Sequence, residues 1–96
     1  MSQVSWSTAA LADLNRNYQF LKAKKSDAAN RALQAIIQAA KSLGQFPQKG
    51  MVIESKFGLR KLPIEFGKYG FVIHYTILDD EVLILKLYHG RQERSY

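Results

Sequence analysis

The feature that most constrains this chain is a change in the spacing of its apolar residues near Pro47. Before Pro47, apolar residues recur every three or four positions, which is the period of one face of an α-helix. They are Leu11, Leu14, Tyr18 and Leu21, followed by Ala29, Leu33, Ile36, Ala40 and Leu43. After Pro47, apolar residues alternate within short runs rich in β-branched and aromatic side chains, as in β-strands. Helical spacing followed by strand spacing is typical of the α+β class.

Capping residues divide the helical half of the chain into two helices. Ser7 and Ser26 are candidate N-caps, because a serine hydroxyl can accept hydrogen bonds from the first turn of a helix. Gly44 lies where a C′ residue ends a helix, and Pro47 follows it. Cations that complement the C-terminal dipole of the first helix are Lys22, Lys24 and Lys25. Almost no chain is left between the helices, so we expect an antiparallel helical hairpin.

The remaining apolar runs predict strands. A short edge strand at residues 4–6 leads into the first helix, and a second strand begins at residues 51–53. Residues 59–62 continue that strand across a break at Gly58, and two longer strands cover residues 71–78 and 82–89. The sequence therefore predicts an α+β domain over residues 1–96 with the order β-α-α-β-β-β. Its helical hairpin packs on a three- to four-stranded antiparallel sheet.

Side-chain alternation predicts the register of the last two strands. Their polar sides coincide when His74 pairs with Lys86, and this register needs a three-residue loop at residues 79–81. The further pairs are Val72 with Tyr88, Thr76 with Ile84, and Leu78 with Val82. The sheet face with His74, Thr76, Lys86 and Tyr88 would then be free for a partner or substrate. A Lys86 side chain directed toward the helices would contradict this prediction.

The chain carries a net charge of +6, and the excess lies mainly in its first half. Residues 1–48 hold six Lys and Arg against two acids, whereas residues 49–96 hold eight against six. A positive surface favours an acidic partner, either a protein or a nucleic acid. Ordinary solubility explains the charge equally well, since small domains commonly carry a net charge of about 2–8.

Several classes of site have no support in the sequence. The chain has no cysteine, so it has neither a disulfide framework nor a thiolate metal site. Its two histidines lack a neighbouring carboxylate, and no glycine-rich phosphate loop is present, so we expect no metal and no cofactor. No apolar run reaches the roughly 18 residues of a membrane span. Residues 1–6 do not resemble a signal peptide, so we expect a cytoplasmic protein.

Basic and aromatic residues fall at or just beyond the ends of the predicted strands. They are Arg60, Lys61, Lys68, His89, Arg91, Arg94 and Tyr96. Cleavage of RNA needs a group that takes the 2′-hydroxyl proton, a cation that stabilises the phosphorane, and an acid for the leaving oxygen. His89, Arg91 or Arg60, and Tyr96 have suitable chemistry. Structural roles are the alternative: Arg60 pairs with Glu54 or Glu93, His89 binds a backbone carbonyl, and Arg91 and Arg94 form a solvated tail.

The order of these motifs resembles the RelE/ParE superfamily of bacterial type II toxins over nearly the whole chain. The opening Val4-Ser5-Trp6-Ser7 is similar to the start of that superfamily, as are Ala10, Asp13-Leu14 and Tyr18 after it. The second helix and its exit match at Ala28-Ala29, Leu33, Ile36, Leu43, Phe46-Pro47 and Gly50. The sheet matches at Gly58-Leu59-Arg60-Lys61-Leu62-Pro63, Tyr75, Val82-Leu83-Ile84-Leu85 and His89-Gly90-Arg91-Gln92.

The resemblance implies a toxin that is neutralised by direct binding of a cognate antitoxin in a heteromeric complex. The antitoxin is expected to be acidic and partly disordered when free. ParE-like members inhibit DNA gyrase, whereas RelE-like members cut mRNA on the ribosome. The segments at residues 58–63 and 89–92 favour the ParE-like group, and so does the absence of arginine at Gly70 and Phe71. A gyrase inhibitor without chemistry of its own is therefore the first expectation. A degenerate member that only binds its antitoxin is a third possibility.

The resemblance also suggests roles for individual residues. The candidates for target binding are Arg60, Lys61, Lys68, His89, Arg91 and Arg94. The candidates for antitoxin binding are Lys22, Lys24 and Lys25. In a nuclease, His89 would transfer the proton, Arg60 and Arg91 would bind phosphate, and Tyr96 would stack or act as the acid.

Overall fold

The structure is a computed structural model that describes residues 2–92, and it has the predicted α+β architecture. Two helices pack on one face of a sheet in the order β-α-α-β-β-β-β. The strands are β1 (Gln3–Trp6), β2 (Met51–Glu54), β3 (Leu59–Ile64), β4 (Phe71–Leu78) and β5 (Glu81–His89). The helices are α1 (Thr8–Lys24) and α2 (Ser26–Gln45), and a 3₁₀ turn at Pro47–Lys49 leads from α2 into β2.

The sheet has five strands in the order β1-β5-β4-β3-β2, which is more than the three or four predicted. It is mixed rather than antiparallel, because β1 runs parallel to β5 while every other pair is antiparallel. The second difference from prediction is that β3 does not continue β2. The Glu54 carboxylate accepts hydrogen bonds from the N–H groups of Lys56 and Phe57, and Gly58 has a φ of +67°. This turn reverses the chain and makes two antiparallel strands.

The helix ends follow the predicted caps only at the first helix. The Ala10 N–H donates to the Ser7 hydroxyl over 3.0 Å, so Ser7 is the N-cap of α1. The assignment of Ser26 is wrong, because the extended residue Lys25 both ends α1 and begins α2. Gly44 is also not a C′ residue, since it lies inside α2 and its carbonyl accepts from the Ser2 N–H over 2.8 Å. A Cβ at this position would lie 3.0 Å from the Ser2 carbonyl oxygen, so a larger residue would require a small shift of the N-terminal strand.

The β4–β5 hairpin has the predicted register at one end and a different register at the other. His74 pairs with Lys86 and Val72 pairs with Tyr88, as expected. The three-residue loop is wrong, because only Asp79 and Asp80 connect the strands, with φ angles of 49° and 63°. Positive φ at both positions is the requirement of a type I′ turn, whose twist matches that of the strands.

A bulge reconciles the short turn with the polar pairing. Tyr75 pairs with Ile84, so Leu85 is an extra residue opposite the step from His74 to Tyr75. Thr76 therefore pairs with Leu83, and Leu78 with Glu81, instead of with Ile84 and Val82. The extra residue shifts the alternation by one position. It keeps the apolar side chains before and after it on the core side.

The face predicted to be free is largely covered. His74 is 2% exposed and Thr76 is 9% exposed. The His74 ring lies edge-on to Tyr88 at 4.8 Å, and the Thr76 hydroxyl donates to the Phe57 carbonyl over 3.2 Å. Lys86 also departs from the prediction, because its ammonium lies 3.4 Å from the Asp13 carboxylate of α1. This face is therefore not an open platform at His74.

The core lies between the helices and the sheet, and Tyr75 ties its centre to the chain segment after α2. The side chain is fully buried among apolar residues that include Ile36, Leu43 and Ile84. Its hydroxyl donates to the Pro47 carbonyl over 2.7 Å and accepts from the Gly50 N–H over 2.8 Å. Burial raises the pKa of the Tyr75 phenol, partly offset by the Gly50 hydrogen bond and the nearby charge of Arg60.

Replacing Tyr75 with Phe should lower the free energy of unfolding by about 1–3 kcal/mol, because the buried Gly50 N–H and the part-buried Pro47 carbonyl both lose the phenol as a partner. The raised pKa means that the fold favours the neutral phenol. The stabilisation is therefore complete below the unfolded-state pKa of about 10 and is lost as pH rises through the folded-state pKa. Urea denaturation from pH 7 to 11 measures both effects.

The exposed hydroxyl of Tyr18, which donates to Asn30, provides the control for that experiment. Tyr18→Phe should keep the loss of stability at high pH, because Tyr75 is intact, whereas Tyr75→Phe should flatten the profile above about pH 10. Equal profiles for the two variants would contradict a specific role for the Tyr75 phenol.

Candidate cationic cleft at the end of the sheet

The structure brings only part of the predicted site together. His89 ends β5, Arg91 and Gln92 follow it, and Lys68 lies in the loop between β3 and β4. These residues meet around the ring of Tyr69, at the end of the sheet where β4 begins and β5 ends. Sequence reasoning did not select Tyr69, although it lies between two glycines of a loop next to Lys68.

Close backbone contact holds the β3–β4 loop against the end of β5. The Gly90 N–H donates to the Gly70 carbonyl over 2.8 Å. Gly70 has a φ of +66°, a conformation that favours glycine. A Cβ on Gly90 would overlap the carbonyl oxygen of Tyr69. Both glycines are therefore required for Tyr69 to lie beside His89.

The aromatic rings at this end position the cations. The Tyr69 and His89 rings are 5.8 Å apart, and His89 meets Phe71 edge-on at 5.6 Å. The Arg91 guanidinium lies 5.1 Å from the centre of the Tyr69 ring, and the Lys68 ammonium lies 5.4 Å from it. Both distances are within the range of cation–π attraction.

Backbone hydrogen bonds define the chemistry of His89. The Arg91 N–H donates to His89 Nδ1 over 3.2 Å, so Nδ1 is an acceptor and the proton of the neutral ring is on Nε2. The His89 N–H in turn donates to the Gln92 side-chain oxygen over 3.2 Å. The sequence had suggested that His89 binds a backbone carbonyl. It accepts from a backbone N–H instead.

The C-terminal half of α1 forms the opposite wall of an open cleft. Arg16, Phe20 and Lys24 are spaced by four residues and share one face of the helix. Phe20 is 60% exposed, and the Lys24 ammonium lies 4.4 Å from the centre of its ring. We call this space the sheet-end cleft. It has a volume of about 490 Å³ and is lined by Arg16, Asn17, Phe20, Lys24, Tyr69, His89, Arg91 and Gln92.

A buried aspartate holds the two walls of the cleft in place. Asp13 on α1 is 3% exposed. Its carboxylate accepts from the Leu87 N–H over 3.0 Å and pairs with Arg16 at 3.1 Å and Lys86 at 3.4 Å. Because β1 pairs with β5 only as far as Ile84, Leu87 lies where that edge has no neighbouring strand. Sequence analysis missed this role, although a carboxylate beside the apolar position Leu14 was a usable signal.

Arg60 and Lys61 do not line the sheet-end cleft. Arg60 donates to the carbonyls of Gln48 at 3.2 Å and Gly50 at 2.8 Å. Ile64 is at the cleft end of β3. Arg60 lies four residues before it, so the two backbone positions are roughly 13 Å apart along the strand. Lys61 pairs with His74 across the sheet. Arg60 therefore supports the chain where it enters β2, rather than pairing with Glu54.

Most of the other residues predicted to bind the antitoxin or the target also lie away from the cleft or outside the described residues. Of the three lysines proposed to bind the antitoxin, only Lys24 lines the cleft. Lys22 lies 6.0 Å from the Tyr18 ring, and Lys25 is the junction residue between the helices. Arg94 and Tyr96 lie outside the described residues, as does Glu93. The roles assigned to these residues stay predictions.

Residues 2–92 contain neither a cluster of metal-ligating side chains nor a membrane-spanning helix. No group of three or more His, Cys, Asp or Glu side chains in this range could hold a metal ion. Within the same range, no helix is both long enough and apolar enough to span a membrane.

Comparison with known proteins identifies the family. The family described as "ParE toxin of type II toxin-antitoxin system, parDE" matches residues 4–94. The chain belongs to the ParE toxin family. This toxin is 29% identical over 94 residues to "Toxin RelE3" of Caulobacter vibrioides, which covers 98% of this chain and 100% of the relative. It is 30% identical over 88 residues to "Toxin RelE1" of the same organism, covering 92% of each chain.

The fold of the toxin is also shared. It aligns with a solved structure described as "Chromosomal ParDE TA system from P. aeruginosa" with a TM-score of 0.77 and 25% identity. The alignment covers 93% of this chain and 96% of the other. The RelE/ParE superfamily resemblance is therefore confirmed, and the toxin is one of a type II toxin–antitoxin system.

Two substitutions of Asp13 should separate its hydrogen bond from its ion pairs. Asp13→Ala should lower the free energy of unfolding by about 1–3 kcal/mol, because the Leu87 N–H loses its acceptor. Asp13→Asn should cost less, because its amide oxygen can still accept that bond. The Arg16 and Lys86 side chains are 64% and 41% exposed, and such pairs contribute only about 0–1 kcal/mol. Urea denaturation measures both, and equal losses would contradict this division.

Proposed function

We propose that this toxin acts by binding and inhibiting DNA gyrase, and that a cognate antitoxin neutralises it by direct contact. The ParE family match supports the gyrase target, and the chain's net charge of +6 suits an acidic antitoxin. The solved relative is described as a ParDE toxin–antitoxin system, which supports assembly with an antitoxin. This function places the toxin in the cytoplasm, where gyrase acts on DNA.

The separation of Arg60 from His89 and Arg91 carries the proposal. Cleavage of RNA requires that the proton-transfer group and the phosphate-binding cations reach one phosphate together. The Arg60 guanidinium donates to two backbone carbonyls, and the Arg60 backbone lies roughly 13 Å along the strand from the cleft end. His89 and Arg91 alone supply a proton-transfer group and one cation. This arrangement favours recognition of a target over catalysis.

Ribosome-dependent mRNA cleavage is the second candidate function. Two relatives carry the names "Toxin RelE3" and "Toxin RelE1". In this mechanism His89 would transfer the proton and Arg91 would bind phosphate. Arg60 would have to leave its carbonyl partners to join them, and Tyr96 would supply the stacking or acid group. A toxin that only binds its antitoxin is the third possibility.

Expression without antitoxin distinguishes these functions. We expect chromosome breaks and a DNA-damage response with intact transcripts, and we expect purified toxin to block supercoiling by gyrase. These are measured by pulsed-field gels, transcript sequencing and a plasmid supercoiling assay. Cut transcripts with an intact chromosome would overturn the gyrase proposal. So would normal growth in the presence of folded toxin.

His89→Ala gives an independent measure of catalysis. A general acid–base group typically contributes a factor of about 10²–10⁴ to a rate. If mRNA cleavage occurs and falls by that factor in the variant, the nuclease function is supported. Under the gyrase proposal no transcript is cut by either protein.

A further inference from the structure

We propose that the sheet-end cleft binds an acidic segment of the antitoxin, with carboxylates flanking one apolar side chain. This inference rests on the proposed neutralisation by an antitoxin and assigns it to one surface. It differs from the sequence prediction, because it selects Lys24 with Arg91 rather than the three lysines Lys22, Lys24 and Lys25.

The cleft concentrates positive charge without matching negative charge. Arg16, Lys24 and Arg91 line it, and none of the lining residues within 2–92 is acidic. Among residues 2–92, no carboxylate lies within 4.0 Å of the charged groups of Lys24, Lys68 or Arg91. Arg16 is the exception, since it pairs with Asp13. Cations held close together without counter-charges favour an anionic ligand.

The rings in the cleft favour a peptide over a nucleic acid. Single-stranded nucleic acids bind by stacking bases on open aromatic faces. The ring of Tyr69 attracts both Arg91 and Lys68, and the ring of Phe20 attracts Lys24, at 5.1, 5.4 and 4.4 Å. Each ring therefore already holds a cation, so the cleft does not present a row of bare rings on which successive bases could stack.

The spacing along α1 sets the size of the segment. Arg16 and Lys24 are eight residues apart, which is roughly 12 Å along a helix. About four residues of extended peptide cover that length. Phe20 lies midway and is 60% exposed, so it can contact an apolar side chain of the segment. Carboxylates on either side of that side chain would then lie in the cleft that Lys24 and Arg91 line.

The segment would also cover residues assigned to the target. His89 and Arg91 are candidates for target binding, and both line the cleft. An antitoxin segment in the cleft would neutralise the toxin by occupying the surface that the target needs.

Charge reversal in the cleft tests this proposal. The dissociation constant of purified toxin and full-length antitoxin is measured by isothermal titration calorimetry at low and high salt. Lys24→Glu should raise it about tenfold, and Lys24→Glu with Arg91→Glu at least 100-fold. The salt dependence of binding should fall in the double variant, because screened charge pairs are removed.

Lys56→Glu is the matched control. Lys56 is an exposed lysine whose ammonium lies 5.4 Å from the ring of its exposed neighbour Phe57, as Lys24 lies near Phe20. The Lys56→Glu substitution makes the same change of charge far from the cleft, so the dissociation constant for the antitoxin should change less than twofold. Circular dichroism and thermal unfolding verify that each variant is folded.

The possible outcomes separate this inference from the proposed function. If wild-type toxin does not bind the antitoxin, the proposed neutralisation fails and this inference fails with it. If wild-type toxin binds and the cleft variants bind equally well, only the cleft assignment is overturned. A fluorescent eight-nucleotide oligo(dT) is a second probe. The proposal would be overturned if wild-type toxin binds the oligonucleotide and the double variant does not, while the double variant still binds the antitoxin with wild-type affinity. That result would assign the cleft to nucleic acid.

Discussion

The contact between the Asp13 carboxylate and the edge of β5 determines how the helices meet the sheet near the candidate site. Because β1 pairs with β5 only as far as Ile84, the N–H of Leu87 has no strand partner on that side. Asp13 accepts from that N–H over 3.0 Å and brings α1 against the end of β5. An unpaired buried N–H costs about 1–3 kcal/mol, so this bond also stabilises the fold. The cleft exists because α1 is held at this place.

The cleft itself depends on aromatic rings that hold cations in defined positions. Tyr69 positions Arg91 and Lys68, and it can do so only because Gly90 permits the backbone of its loop to approach β5. Phe20 does the same for Lys24 on the opposite wall. A cation beside a ring still presents its hydrogen-bond donors outward, so these groups are ready to meet carboxylates. The chemistry of the surface is therefore recognition of negative charge.

Predictions from sequence succeeded where interactions between residues close in the sequence decide the structure. The apolar spacing of the first half located both helices, and the hydroxyl of Ser7 caps α1 as expected. The pairing of His74 with Lys86 was also predicted from alternation. The length of the turn between β4 and β5 was predicted wrongly, because the alternation of side chains along two strands cannot reveal a bulge. A two-residue turn plus the extra residue Leu85 pairs His74 with Lys86, and a three-residue loop without a bulge would pair the same two residues.

The candidate site shows the same division between sequence and tertiary structure. The sequence by itself determined the class of fold, the family and the basic character of the chain, because periodicity, motif order and charge are local properties. Only the tertiary structure decided which cations act together. Arg60 and Arg91 both lie near strand ends in the sequence, yet Arg60 binds backbone carbonyls near β2 while Arg91 joins Lys24 across the cleft. The packing of α1 and of the β3–β4 loop on the sheet decides that grouping, and no local pattern encodes it.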